Sequence, residues 1–210
     1  MGDNAPKTLE EFLEIKYNNE AEYGRLKHSY RIANQYESNS GNMDATKIVE
    51  LHDEAVANKA LFTGEARKEA NIGIMELDGE IFLSNSKANN ETDPAYYNFK
   101  GKKEQLILQP SSREFKATVV GTHLRDVDSE YKLFEFAASI AKDGKPHKVR
   151  LLSEKTMCKS CKGVMRQFKK KYPNVEVEVV SHRVDKAKKH HNRNHVFEYD
   201  AKKVYEDAHS

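Results

Sequence analysis

The feature that most constrains the fold is an alternation of helical and extended segments in the second half of the chain. Apolar residues at helical spacing predict helices over about 128–142 and 158–171. Residues 149–152 and the alternating valines of 175–179 predict a strand after each helix. Helices that alternate with strands bury their apolar faces against a sheet, so this pattern predicts an α/β fold.

A hairpin signature precedes this alternation. Two apolar runs, residues 72–75 and 81–83, flank Asp78-Gly79, a dipeptide that favours the tight turn of a β-hairpin. Residues 115–120 fit either a short strand or the approach to a helix. Together with the second half, these segments predict a mixed β-sheet of about five strands with flanking helices.

The first sixty residues have a different pattern. Residues 8–36 and 45–60 predict two helices, and the turn-rich residues 37–42 separate them. In the second of these helices, Ile48, Leu51 and Ala55 fall on one face. The predicted sheet is therefore preceded by an N-terminal helical segment.

Charge divides the chain in the same way. Residues 1–60 hold seven Lys/Arg against eleven Asp/Glu, whereas residues 141–195 hold sixteen against five. We therefore expect an acidic helical segment over residues 1–62 and a second domain, with a basic C-terminal region, over residues 63–210. A polyanionic partner such as a nucleic acid would be attracted to the basic region.

From the sequence we expect neither a membrane-spanning segment nor an export signal of the chain's own. No apolar run is long enough to cross a bilayer, and the first residues are acidic where a signal peptide needs a basic start. The two cysteines, Cys158 and Cys161, are three residues apart and cannot connect distant parts of a fold. We expect no membrane partner, and we expect the cysteine pair to serve local chemistry or a local metal site.

Two short motifs stand where the predicted helices begin. Asp128-Ser-Glu130 opens the first helix, and Cys158-Lys-Ser-Cys161 opens the second. A helix N-terminus carries partial positive charge, which favours ionised thiols and carboxylates. Two thiolates and one oxygen ligand would leave one position of a tetrahedral Zn²⁺ open, as in a catalytic site. We predict Asp128, Cys158 and Cys161 as zinc ligands, with His123 as the fallback third ligand.

Glu130 has a different predicted role. Two residues after Asp128 it cannot share the rotational position of that residue on a helix, so it would lie beside the metal without binding it. Zinc lowers the pKa of its bound water toward about 7, and a free carboxylate there can move the proton. An alternative interpretation gives both motifs ordinary roles. Asp128 would then be a helix cap and Glu130 a first-turn acid, and the two cysteines would be a redox pair or a structural half-site.

The two motifs resemble a known family. Asp128-x-Glu130 and Met157-Cys158-x-x-Cys161 are similar to the H-x-E and P-C-x-x-C signature of zinc deaminases. Over roughly residues 65–182, the chain resembles the bacterial polymorphic-toxin branch of the cytidine deaminase-like superfamily. The resemblance implies one zinc ion, Glu130 as proton shuttle and a cytosine-type base as substrate. It also implies delivery within a secreted bacterial toxin, action in the target-cell cytoplasm, and an immunity protein as partner.

Further residues are candidates for substrate contact. Tyr96 and Tyr97, with Phe99, lie in a polar segment over residues 85–103 that is predicted to be a long loop. Their rings could stack on a base, or they could cover the edge of the sheet. Asn71 could hold the sugar or the base edge. We also predict substrate contacts from the motif residues Ser129 and Lys159. The basic segment 182–195 reads as a solvated tail or a phosphate-contacting arm.

We therefore expect hydrolytic deamination of cytosine to uracil in a nucleic acid, with DNA favoured over RNA. Two alternatives stay open. The same chemistry could act on free nucleosides or nucleotides, although a small metabolite needs no extended basic field. The chain could also be a non-enzymatic zinc or nucleic-acid binding module, which would close its zinc site with a fourth protein ligand.

Overall fold

A computed structural model describes residues 20–183, so residues 8–19 of the predicted first helix and residues 184–195 of the predicted basic segment 182–195 lie outside the described residues. Six α-helices, one 3₁₀-helix and seven strands make up this part of the chain. The helices are α1 Glu20–Ala33, α2 Ala45–Ala60, α3 Gly64–Lys68, α4 Pro94–Tyr97, α5 Ser129–Ala141 and α6 Lys159–Lys171, with the 3₁₀-helix at Lys103–Gln105. The strands are β1 Tyr36–Ser40, β2 Ile72–Leu77, β3 Glu80–Asn85, β4 Val119–Val120, β5 His123–Leu124, β6 His147–Ser153 and β7 Val175–His182.

Five strands form one mixed sheet in the order β1-β7-β6-β2-β3. β6 and β7 are parallel, and every other neighbouring pair is antiparallel. The predicted α/β fold and its mixed five-stranded sheet are therefore confirmed. The predicted hairpin is β2–β3. Its turn residues Asp78 and Gly79 both have positive φ, as a two-residue type I′ turn requires.

The edge strand β1 differs from the sequence prediction. The first helix was expected to reach residue 36 and residues 37–42 to form a turn, but α1 ends at Ala33 and β1 pairs with β7. Tyr36 is buried, and Asn39 Nδ2 donates to Ser181 Oγ on β7 at 2.7 Å. Backbone pairing and such bonds allow a polar stretch to form an edge strand, so the N-terminal part of the chain contributes one strand to the sheet.

Apolar side chains cover both faces of the sheet. Helices α5 and α6 pack on one face around Tyr131, Phe134 and Phe168. α2 covers the other face through Ile48, Leu51 and Ala55, the face predicted from the sequence, with α1 beside it. All six residues of β2 are buried because the strand is covered on both sides. No helix among residues 20–183 is both long and apolar enough to span a membrane.

The segment between the hairpin and α5 lies against the two helices of the first face. Phe115 is buried in the core, and the carboxylate of Glu135 on α5 accepts from the backbone N–H groups of Glu114 and Phe115. β4 lies at the end of the ambiguous segment 115–120 and pairs with β5 in a small hairpin with two residues in each strand. This path brings the chain to the start of α5 beside the start of α6.

Candidate metal centre

Three potential metal ligands meet where α5 and α6 begin. Asp128 Oδ2 lies 3.4 Å from Cys158 Sγ and 3.4 Å from Cys161 Sγ, and the two sulfur atoms are 3.4 Å apart. A tetrahedral zinc site with ligand distances of about 2.0–2.3 Å has ligand–ligand edges of about 3.3–3.8 Å. The donor set of two thiols and one carboxylate therefore fits Zn²⁺ in both chemistry and spacing.

Local backbone structure explains why these side chains converge. Asp128 is the N-cap residue of α5, but its side chain makes no capping hydrogen bond and turns toward the sulfur atoms instead. Cys158 is the N-cap of α6, and its sulfur accepts from the backbone N–H of Cys161 at 3.3 Å. Both helices thus direct their positive N-terminal ends at the same point, which stabilises negative charge there.

The two thiols differ in protonation. Neither cysteine forms a disulfide. The hydrogen bond between them lowers the pKa of Cys158 and raises the pKa of Cys161, which is also buried beside two carboxylates. Cys158 is therefore the first thiol to ionise, and a bound cation would favour the thiolate form of both.

Arg125 is the nearest cation to the acidic ligand. Its Nη1 lies 3.7 Å from Asp128 Oδ1, the carboxylate oxygen that does not face the sulfur atoms. The buried Nε of Arg125 has no hydrogen-bond partner among residues 20–183. Arg125 therefore offsets part of the negative charge that an aspartate ligand brings in place of a neutral histidine.

Glu130 lies next to the three donors and is only 2% exposed. Its Oε2 is 3.9 Å from Cys161 Sγ, and Ser153 Oγ donates to its Oε1 at 2.7 Å. Burial, together with the charge of Asp128, raises the pKa of Glu130. A carboxyl group with a raised pKa holds a proton more readily than an ordinary glutamate, and beside a metal position it can serve as a general acid–base.

Asn71 joins the two serines that contact Glu130. Its Nδ2 donates to Ser129 Oγ at 2.8 Å and to Ser153 Oγ at 3.1 Å, and its Oδ1 accepts from the backbone N–H of Lys155 at 3.0 Å. Ser129 Oγ in turn lies 3.1 Å from Glu130 Oε2. Both N–H groups of the Asn71 side-chain amide are thus used within the protein, where they fix both hydroxyls around the glutamate.

The close approach of α5 to the sheet depends on Gly73. A Cβ atom at this position of β2 would lie 2.9 Å from Leu133 Cδ1 and 3.5 Å from the Ser129 side chain. The absence of a side chain lets the first turn of α5 lie directly on the strand. Ser129 and Glu130 are therefore buried against β2 and β6 and do not face solvent.

The other predicted substrate contacts have mixed surroundings. Tyr97 is 73% exposed and Tyr96 is partly buried, with Lys103 Nζ 4.8 Å from the Tyr96 ring centre. Phe99 instead belongs to the core, where its ring stacks on Phe62. Lys159 is exposed one residue after Cys158, and its role in substrate contact stays a prediction, as do those of Asn71, Ser129, Tyr96 and Tyr97.

The fallback ligand His123 lies five residues before Asp128 in the sequence. Its backbone lies in β5, but its side chain is not among those described. Within the described part of the chain, Asp128, Cys158 and Cys161 form the group whose spacing suits a metal ion.

Two residues near the centre carried no sequence signal. Ser153 ends β6, and nothing in the sequence distinguishes it from the serines at other strand ends, Ser40 in β1 for example. Lys132 is fully buried, and its Nζ donates to the carbonyls of Asn85 and Ala88 and to Asn89 Oδ1 at 2.7–3.0 Å. Lys132 therefore ties the segment after β3 to the helix that carries Glu130, although lysines in helices usually face water.

The chain matches the model of a known protein family. The model of the Toxin-deaminase family, described as the BURPS668_1122 family of deaminases, matches residues 58–183. No curated protein and no solved structure matches the chain. The matched residues include β2, β3, α5, β6, α6 and β7, and they contain all four residues of the centre.

Proposed function

The chain belongs to this family of toxin deaminases, and from that premise we propose that it is a zinc-dependent hydrolase that converts cytosine to uracil in a nucleic acid, with DNA favoured over RNA. The observation that carries the proposal is the position of Glu130, a buried carboxylate beside a three-donor metal group. A closed structural zinc site would need a fourth protein ligand, whereas both carboxylate oxygens of Glu130 are held by the hydroxyls of Ser129 and Ser153.

Asp128, Cys158 and Cys161 would hold the zinc ion. When bound, the ion would supply an activated water by lowering the pKa of that water toward about 7. Three protein ligands leave one tetrahedral position for it. The residues of this chain are therefore sufficient for a catalytic site without a ligand from another element.

Glu130 would move the protons of the reaction. Hydrolytic deamination adds one water to the carbon that carries the amino group and releases one ammonia. Glu130 takes a proton from the attacking water, passes it to the ring nitrogen, and then assists proton transfer to the departing amine. Ser129 and Ser153 hold the two carboxylate oxygens, so the group is oriented before the substrate binds.

The exposed aromatic residues support a nucleic acid as the substrate. Tyr97 presents its ring to solvent, and Lys103 lies over the rings of both Tyr96 and Tyr97. Aromatic faces next to cations are the usual means of binding unpaired bases without sequence preference. A base must leave the duplex stack, or be unpaired already, before its amino group can reach a buried centre.

Membership of a toxin family also supports a biological setting. We propose that the domain is delivered within a secreted bacterial toxin, acts in the cytoplasm of the target cell, and is neutralised in the producing cell by an immunity protein. Co-expression provides a simple assay, because the chain should prevent growth unless the immunity protein is present.

The enzymatic proposal is tested with zinc-loaded protein and cytosine-containing oligonucleotides. Uracil is detected by glycosylase cleavage in single-stranded and duplex DNA and by sequencing of the reverse transcript in RNA, and free cytidine is assayed separately. We expect the wild type to form uracil in an oligonucleotide and Glu130→Gln to lose at least about 100-fold in rate. The exposed Glu54→Gln on α2 is the matched control and should retain the wild-type rate.

Each result has a distinct meaning. Equal uracil formation by the wild type and Glu130→Gln would exclude Glu130 as the proton shuttle. Activity on free cytidine without activity on any oligonucleotide would favour the metabolite alternative. Zinc-loaded protein that deaminates none of these substrates would contradict the proposed reaction.

A further inference from the structure

Helix α6 has a strongly one-sided charge. Residues Lys159–Lys171 contain six basic residues and no acidic one. Its apolar residues Val164, Met165 and Phe168 are buried against α5 and the sheet. The opposite side of a helix that supplies both cysteines of the metal centre is therefore positive along its whole length.

Three of the six basic residues are used within the protein. Lys171 Nζ pairs with Glu114 at 2.6 Å, Lys169 Nζ donates to Ser40 Oγ at 2.7 Å, and Lys162 Nζ lies 3.8 Å from Glu37. These contacts tie α6 to the neighbouring segment and to β1. Three of the six basic residues of α6 therefore have a structural role.

The other three, Lys159, Arg166 and Lys170, are exposed and have no acidic partner among residues 20–183. They are spaced by seven and four residues, so they lie within about 40° of one another around the helix. At 1.5 Å per residue they are separated by about 10 and 6 Å along its axis. They therefore form a row of unpaired cations, about 16 Å long, that begins next to Cys158.

An apolar hairpin lies beside the first of these cations. The backbone N–H of Thr118 donates to Ser160 Oγ at 2.8 Å, which fixes β4 to the start of α6. Val119 and Leu124 are paired across β4 and β5 and are 63% and 45% exposed. A nucleic acid strand could contact both features, because its phosphates would bind the cations and its base faces would pack on the apolar side chains. The acidic residues of a protein surface would bind only the cations.

We propose that Lys159, Arg166 and Lys170 form a phosphate track that guides a nucleic acid strand along α6 to the metal centre. The proposal rests on the proposed function, which it extends by giving the path of the substrate backbone. With phosphates about 3.4 Å apart along each strand of a duplex, a row of about 16 Å spans about five nucleotides. Val119 and Leu124 would contact the bases next to the target.

The track is tested by binding, with the full chain and the zinc ion present. The Glu130→Gln background prevents turnover, and fluorescence anisotropy measures the Kd of a labelled 12-nucleotide cytosine-containing DNA between 0.1 and 1 M salt. The test variant carries Lys159→Gln, Arg166→Gln and Lys170→Gln. Lys145→Gln is the control, because Lys145 is 77% exposed and precedes β6 at the end of the sheet away from the centre.

We expect the slope of log Kd against log salt to fall by about 2 in the triple variant, since each lost phosphate contact on a single strand contributes about 0.7. The Kd should rise by about 100-fold at 0.1 M salt and by little at 1 M. Each single substitution should account for about a third of the slope. Lys159→Arg with Lys170→Arg should keep the wild-type slope, and thermal melting and zinc content should be unchanged in all variants.

An unchanged slope in the triple variant would overturn the track. A slope change in Lys145→Gln as large as that of one single substitution in the row would also overturn it, because it would indicate a net-charge effect. If wild-type protein deaminates oligonucleotides while the triple variant binds normally, the track is wrong and the proposed function stands. If wild-type protein deaminates nothing while the triple variant loses binding as expected, the track stands and the proposed function is wrong.

Discussion

Replacing Asn71 by alanine should damage the centre without touching any proposed zinc ligand or Glu130. The substitution removes two hydrogen bonds to Ser129 and Ser153, at 2.8 and 3.1 Å, and the acceptor of the Lys155 N–H. Both hydroxyls are fully buried, so water cannot replace the lost partner without rearrangement. The two serines would then be free to rotate away from Glu130.

The magnitude follows from the number of bonds. Three hydrogen bonds at about 1 kcal/mol each give a loss of about 3 kcal/mol in the free energy of unfolding. For a chain of this size that corresponds to a Tm lower by about 6–12 °C. Loss of orientation of the general acid–base should lower kcat by about 10- to 100-fold even where the variant is fully folded.

Two measurements separate these effects. Urea unfolding gives the free energy, and uracil formation at a temperature well below both Tm values gives kcat. Asn174→Ala is the matched control, because its side-chain amide donates two hydrogen bonds, to the carbonyls of Gly144 and Lys145, at the opposite end of the sheet. The control should lose some stability and no kcat. A kcat for Asn71→Ala equal to that of the control would refute the positioning role of Asn71.

Two further predictions concern the metal and the acid stability of the fold. Removal of zinc by a chelator should abolish deamination and lower the Tm, and activity should return on addition of Zn²⁺. Cys158→Ser should bind zinc at least about 10-fold more weakly than the wild type in a competition assay with a chromophoric chelator. Glu114 contacts Lys142, Lys171 and the Tyr172 hydroxyl, and these partners lower its pKa to about 2. Because the pKa of Glu114 is depressed in the folded state, its stabilisation is present above about pH 4.5 and is lost as the pH falls toward about 2. Glu114→Gln should therefore lose less unfolding free energy than the wild type over that pH range. An unchanged pH dependence in this variant would contradict the assignment.

The position of the centre could be predicted because its main parts are local in sequence. Asp128 and Glu130 are two residues apart, and Cys158 and Cys161 are three apart, each at the start of a segment with clear helical periodicity. The strand β6 between the two helices brings their starts to the same end of the sheet, as in other α/β folds. Local patterns and one short connection were enough to place four residues together.

The support around Glu130 could not be predicted in the same way. Ser153 lies 23 residues from Glu130 and Asn71 lies 82 residues from Ser153, so their contacts depend on strand register and not on local spacing. The buried position of Lys132 likewise depends on the carbonyl groups of a distant segment, more than 40 residues earlier. Lysine side chains are usually exposed to solvent, and no periodic pattern in the sequence predicts that this one is buried.

The sequence by itself determined the alternation of helices and strands, the β2–β3 hairpin and the two motifs at helix starts, because these depend on local periodicity and turn chemistry. Only the tertiary structure decided that the polar residues of β1 form the fifth strand, since a polar edge strand is defined by its pairing with β7 and not by its own composition. It also decided which basic residues of α6 are paired with an acidic residue of 20–183 and which are not, because an ion pair needs a carboxylate that the fold brings from elsewhere in the chain.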